Sequence, residues 1–155
     1  MQIRIIQVGK DKDTWLSEAI QEYRKRLRPF CRLDILQIPD VSIKQTGNRN
    51  LIIMKESLAI MNKIETDDFC VLLDEKGEQK TSLEFSSFLT KLSDRKRIVF
   101  VIAGVYGSST ELKDKANCCL SLSKMTFTHR MSRLILIEQI YRAMMIAHGR
   151  SYHIE

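Results

Sequence analysis

Glu138 and Arg142 stand four residues apart in a segment that is otherwise apolar, and Tyr152 and His153 follow shortly after it. At that spacing the carboxylate and the guanidinium meet on one face of a helix. Such a pair can orient something, because a guanidinium fixed on one side keeps N–H groups for a carbonyl or phosphate on the other. It can equally be a buried structural ion pair. The aromatic ring and the imidazole that follow make the ending read as a working part of the molecule.

A second group of chemistry-bearing residues precedes that segment. The loop Leu122, Ser123, Lys124, Met125, Thr126, Phe127 is polar by position yet carries two large apolar side chains. Met125 and Phe127 can wall an adenine while backbone amides read its edge, or they can close the core beneath the loop. Gly104 and Gly107 follow the strand-like run Ile98 to Ile102, and Ser108 then opens a helix. A strand, a glycine turn and a helix amino terminus make a ligand crevice at the carboxyl ends of strands. Neither the dinucleotide fingerprint G-x-G-x-x-G nor the phosphate loop G-x-x-x-x-G-K-[ST] is present. His129, His148 and His153 lack the H-E-x-x-H spacing and no cysteine lies at a zinc-ligand offset, so no metal is expected. No G-x-S-x-G elbow is present either.

These residues must be positioned by an alternation of strand-like and helix-period runs. The strands are Ile3 to Val8, Leu33 to Ile38, Phe69 to Leu73, Ile98 to Ile102 and Cys119 to Leu122. The helices are Thr14 to Leu27, Asn50 to Lys63, Ser82 to Leu92, Ser109 to Ala116 and Arg130 to His148. The alternation predicts an α/β fold, a mainly parallel sheet flanked by helices. Capping boxes are expected at Thr81 with Glu84 and at Ser108 with Glu111. Pro39 to Arg49 reads as a surface loop, and no linker or repeat divides the chain, so residues 1–155 read as one domain. The last helix is apolar around most of its circumference, which predicts either a homodimer packed through it or a central helix in a monomer.

Composition narrows the partners. With 25 basic and 19 acidic residues among 155, a formal charge of +6 and a pI near 9.2, the chain suits a polyanion such as RNA. Arg24, Lys25, Arg26 and Arg28 cluster at the end of the first long helix, where cations complement the dipole and can grip phosphates, or form a solvated face. Cys31, Cys70, Cys118 and Cys119 show no Cys-x-x-Cys spacing and read as reduced and mostly buried. No apolar run approaches the roughly 20 residues of a membrane span, and the amino terminus reads as a strand rather than a secretory signal. The expectation is a cytoplasmic protein that does not engage membranes.

The string from Leu120 through Ser121, Leu122, Ser123, Lys124, Met125, Thr126 and Phe127 to His129 and Arg133, then Glu138, Gln139, Tyr141, Arg142 and Ala143, then Tyr152 and His153, resembles one family along its whole length. It is similar to the SPOUT-class large-subunit rRNA pseudouridine N3-methyltransferases, the RlmH family. Gln7 to Lys10, Glu22 to Leu27, Leu73 to Gly77 and Phe100 to Gly104 are similar too. The resemblance implies a SPOUT-type α/β fold with a carboxyl-terminal deep trefoil knot, and S-adenosylmethionine bound in the knotted loops of a homodimer. It implies a cofactor pocket at Leu73, Ala103, Gly104, Leu122, Ser123, Lys124, Met125, Thr126 and Phe127. The substrate it implies is a pseudouridine in the bridge stem-loop, helix 69, of 23S rRNA within the assembled ribosome. His153, from the partner's tail, is then the group that takes the imide proton; Arg142, fixed by Glu138, holds a carbonyl or phosphate; Tyr152 stacks on the base; His129 orients the cofactor loop or supports it structurally. Three departures from the family pattern are Ala103 in place of glycine, Thr128 in place of proline, and Ile154 and Glu155 in place of a basic residue. A non-enzymatic RNA-binding module of ribosome assembly and a nucleotide-binding regulator are the alternatives.

Overall fold

The computed structural model describes residues 1–10 and 12–154; Glu155, named among the departures, lies outside them. The elements run β1 Gln2–Val8, α1 Thr14–Leu27, β2 Arg32–Ile38, α2 Ile43–Thr46, α3 Arg49–Met61, β3 Asp68–Gln79, α4 Ser82–Lys91, β4 Arg97–Ile102, α5 Thr110–Lys115, β5 Cys118–Ser121 and α6 His129–Ala147. The strands form one parallel sheet in the order β2-β1-β4-β3-β5. This is the expected α/β architecture.

The sheet is covered on both faces because its strands are apolar on both. Every residue of β4 is buried. Ile98, Phe100 and Ile102 point into a core shared with α1, α4 and α6, while Val99 and Val101 point into a second core with Ile60 of α3 and Leu112 of α5. That two-residue alternation follows from the pleat. Burial of each such side chain contributes roughly 1.5–3 kcal/mol.

Four local features differ from the sequence expectations. β3 does not stop at Leu73 but continues to Gln79, and both Leu73 and Glu78 pair with Leu120 of β5, so residues 74–77 bulge away from the ladder. Pairing of Glu78 and Gln79 with β5 resumes the strand beyond the bulge, against the low β propensity of this polar stretch. The Pro39 to Arg49 loop contains the short α2, capped by Ser42. The box at Thr81 and Glu84 forms in both directions, but the box at Ser108 and Glu111 does not. Ser109 is the cap instead, its hydroxyl accepting from Leu112 N at 3.1 Å. Cys118 and Cys119 are half-buried, unlike the buried Cys31 and Cys70.

α6 lies against the sheet beside α1 and α4 rather than inside the fold. Leu136, Ile137, Ile140, Ala143 and Met144 are buried. Ser86 Oγ donates to the Ala143 carbonyl at 2.8 Å and Ser82 Oγ to Gln139 Oε1 at 2.8 Å, pinning α4 to α6. On the other side Ile135 and Ile146 are only half-buried and Met131 is exposed. A strip of apolar surface therefore remains on the outside of the single chain.

Candidate active site

The bulge of β3 and the carboxyl ends of β4 and β5 surround a cavity of about 470 Å³, within the range of small-molecule sites. Leu73 comes from the edge of the β3 bulge and Leu120 from the end of β5, Ala103 and Gly104 from the turn after β4, and Leu122, Ser123, Met125, Thr126 and Phe127 from the loop after β5. Lys124 is the exception: it is exposed and does not line the cavity. Ser123 Oγ accepts from Met125 N at 3.0 Å, a tight turn that carries the intervening lysine outward.

Polar contacts tie the walls together. Thr126 Oγ1 donates to Glu75 Oε2 at 2.8 Å, linking the β5 loop to the β3 bulge. Asp74 accepts from Lys76 N at 2.9 Å and pairs with Lys113 at 3.3 Å. The backbone hydrogen bond first, and Lys113 after it, hold that carboxyl below the ordinary carboxylate range, so the rim carries a fixed negative charge. On the opposite wall Gly107 N donates to the Gly104 carbonyl at 2.9 Å, and Gly107 has φ +93°, a conformation that favours glycine. Ala103 needs no such freedom, since no non-glycine residue described has positive φ. Thr128, the second departure, is the cap of α6, accepting from Met131 N at 3.3 Å.

His129 opens α6 and lines this cavity and also a second hollow of about 790 Å³ on the far side of the Gly104 to Tyr106 turn. Burial lowers its pKa, which keeps the imidazole neutral at neutral pH. In the second hollow Arg133 is buried and donates to Gln7 Oε1. Desolvation brings its guanidinium down to about 10, still charged under ordinary conditions.

The other four chemistry-bearing residues gather elsewhere. Glu138 Oε1 accepts from Arg142 Nη2 at 2.8 Å, from Arg142 Nε at 3.1 Å and from the Tyr152 hydroxyl at 3.3 Å. Arg142 Nη1 lies 3.3 Å from His153 Nδ1. A guanidinium only donates, so Nδ1 is the accepting nitrogen of that ring. Tyr152 packs edge-on against Tyr141 at 4.9 Å, with Arg142 over its ring at 4.8 Å. Burial, then the Tyr23 hydroxyl and Glu138, push its phenol up to about 12. None of the four lines the cavity of its own chain. From His129 to Glu138 is nine residues of helix, about 13.5 Å at ~1.5 Å each.

Residues 1–153 match the family model described as a predicted SPOUT methyltransferase. The chain belongs to the SPOUT methyltransferase family. Three relatives are each named ribosomal RNA large subunit methyltransferase H. The one from Clostridium botulinum (strain Kyoto / Type A2) is 41% identical, covering 99% of both chains. That from Prochlorococcus marinus is 44% identical over 98% of this chain and 95% of its own, and that from Parabacteroides distasonis is 42% identical over 100% of both. Among the described residues, no group of three or more His, Cys, Asp or Glu is placed to hold a metal ion, and no helix is long and apolar enough to cross a membrane.

A methyltransferase of this family needs a methyl donor, and the turn that faces the cavity is held from behind by residues that the sequence reading missed. Glu56 is buried in α3, its Oε2 accepting from Val41 N at 3.1 Å. Its Oε1 occupies the space a side chain at Gly104 would need. Next to it, Ser57 Oγ accepts from Ser109 N at 2.9 Å. α3 thus supports both ends of the 104–109 turn. The available signal was a carboxylate between Ile52 and Ile60, on the apolar side of its helix.

Burial raises the Glu56 pKa. The native state therefore holds this proton more tightly than the unfolded chain, and stability is lost as pH rises from about 4.5 through the raised value. Glu56→Gln is expected to melt at the same temperature as the parent near pH 4 and to be more stable by on the order of 1 kcal/mol at pH 8. Parallel melting curves across that range, with no divergence, would show that Glu56 ionises freely.

Proposed function

We propose that this protein is an S-adenosylmethionine-dependent methyltransferase that modifies N3 of a pseudouridine in the helix 69 stem-loop of 23S rRNA, on assembled ribosomes in the cytoplasm, as a homodimer. The observation that carries this reading is the cavity formed by the bulge of β3 and the ends of β4 and β5, in a chain that matches rRNA methyltransferases from end to end. The deep trefoil knot implied by the resemblance is part of the same reading. It accounts for three loops distant in sequence meeting at one place.

The lining fits the proposed cofactor. Leu73, Leu122, Met125 and Phe127 offer apolar walls to a purine ring, and Asp74 and Glu75 place carboxylates where a cationic ligand gains from them. When bound, S-adenosylmethionine supplies a methyl group activated on a sulfonium. The chain itself contributes positioning and exclusion of water, which can account for several kcal/mol of a barrier.

The tail cluster supplies the proton chemistry. A pseudouridine N3–H must lose its proton to become a nucleophile, and His153 Nδ1 is an accepting nitrogen. It takes that proton once the substrate replaces Arg142 at 3.3 Å. Arg142, still fixed by Glu138, then faces a uracil carbonyl or phosphate, and Tyr152 stacks on the base. Because these groups lie outside their own chain's cavity, they serve the cavity of a second copy, docked through the apolar strip of α6.

The test is incubation of the protein and radiolabelled S-adenosylmethionine with ribosomes, separated subunits and naked rRNA from cells lacking the modification. Label confined to a helix 69 fragment of the ribosome sample is expected. In parallel, the cofactor at 100 times its dissociation constant should stabilise the fold by roughly 2.7 kcal/mol. Labelling of another fragment, or no transfer despite cofactor binding, would reject the assignment of substrate.

A further inference from the structure

At the opposite end of the sheet from the cavity, where β2 begins, lies a hollow of about 420 Å³ that the chemistry above does not use. Arg24 reaches it from the last turn of α1, Arg28 from the cap that follows that helix and Arg32 from the first residue of β2, with Gln21 beside them. Cys31 and Leu33 are buried beneath. No acidic residue lines it.

Three arginines converge on this hollow without a carboxylate among them. Elsewhere Arg4, Arg26, Arg97, Arg130 and Arg142 pair with Asp34, Glu22, Asp68, Asp13 and Glu138 respectively, and Arg49 and Arg95 lie over the rings of Tyr106 and Phe69. Among the described residues, Arg24, Arg28 and Arg32 enter no ion pair. Arg24 and Arg28 are four apart on one helix face, a placement that destabilises a helix when the charges are alike. Complementing the α1 dipole accounts for cations in its last turn but not for Arg32, which lies outside the helix. The floor adds no negative charge either, since burial pushes the Cys31 thiol up to about 11.

Three uncompensated guanidinium forks around a neutral floor match the oxygens of phosphates. Arg28 and Arg32 are exposed, so the hollow is open to a long ligand. It also borders the tail cluster through α1: Tyr23 packs on Tyr141 at 6.0 Å and Arg26 lies over the Tyr141 ring at 5.9 Å. A nucleic-acid strand leaving the cluster therefore meets the helix that carries Arg24 and Arg28.

We infer that Arg24, Arg28 and Arg32 form a docking site for the sugar-phosphate backbone of the RNA substrate, away from the modified base. The inference rests on the rRNA reading proposed above. These are docking residues, so their removal weakens binding more than turnover.

The test compares the parent with Arg24→Gln/Arg28→Gln/Arg32→Gln and with Arg32→Gln alone, which leaves α1 intact. The triple variant is expected to raise KM for ribosomes at least tenfold, with the smaller share of the loss in kcat. The slope of log Kd against log salt should become shallower by roughly two in the triple variant and by somewhat less than one in the single variant. The thermal shift with S-adenosylmethionine should match that of the parent and so report an intact fold. Unchanged KM and salt slope in a folded triple variant overturn the inference while leaving the rRNA reading in place. Stabilisation of the parent alone by inorganic phosphate, with KM for ribosomes unmoved in the variant, overturns it in favour of a small-anion site. A parent that neither binds nor methylates ribosomes removes the rRNA reading itself, and this inference with it.

Discussion

Removing residues 152–155 is expected to lower methyl transfer about 10²–10⁴-fold, the range associated with losing a positioned proton acceptor. Cofactor binding should persist, because no described residue of the tail lines the cavity. The truncation also removes the Tyr152 ring from Tyr141 and one of the hydrogen bonds to Glu138. His153→Ala separates the two effects by keeping the ring and losing the imidazole. It should show most of the loss in turnover with little change in melting temperature. Thermal shift with S-adenosylmethionine beside single-turnover rates reads both quantities. If the truncated protein no longer responds to the cofactor, the tail holds the structure rather than the substrate.

Gly77→Ala is expected to destabilise the fold by about 2–3 kcal/mol and to weaken cofactor binding as well. A Cβ on Gly77 would stand 2.7 Å from the Cys119 carbonyl carbon and 2.8 Å from its oxygen and from the Leu120 carbonyl carbon. All three are backbone atoms of β5, which cannot swing aside as a side chain can, so the strand itself must move and overpacking carries its full cost. β5 leads directly into the loop that walls the cavity, and the displacement reaches the site. Gly104→Ala provides the contrast. There the new methyl meets the end of the Glu56 side chain, which can rotate away at the loss of its bond to Val41. A smaller stability loss is expected at Gly104 than at Gly77. Urea melts of the two variants test the order, and a Gly77→Ala protein within about 0.5 kcal/mol of the parent would show that β5 shifts freely.

The architecture was legible because a parallel sheet covered on both faces writes its strands as continuous apolar runs, as in Ile98 to Ile102. Thr81 and Glu84 announced a helix start that both partners satisfy. What escaped notice depends on contacts distant in sequence. Residues 74–77 are mostly charged and leave the ladder, and the strand resumes only where Glu78 and Gln79 pair with β5. Ser108 and Ser109 are equivalent caps on paper, and the hydrogen bond from Ser109 N to Ser57 decides between them. At the candidate site, the motif residues around Leu122 to Phe127 indicated a common location, while the outward turn of Lys124 follows from one serine hydroxyl. The separation of the tail cluster from its own cavity has no signature in residue order, since spacing along a helix gives distance only after the helix ends are placed.

That separation has a consequence for how the protein operates at low abundance. Under the proposed arrangement a solitary copy owns a vessel for the donor and, about 13.5 Å further along its last helix at ~1.5 Å per residue, a hand that cannot reach into it. Specific activity then depends on encounter between copies and falls on dilution, even while every molecule stays folded and saturated with ligand.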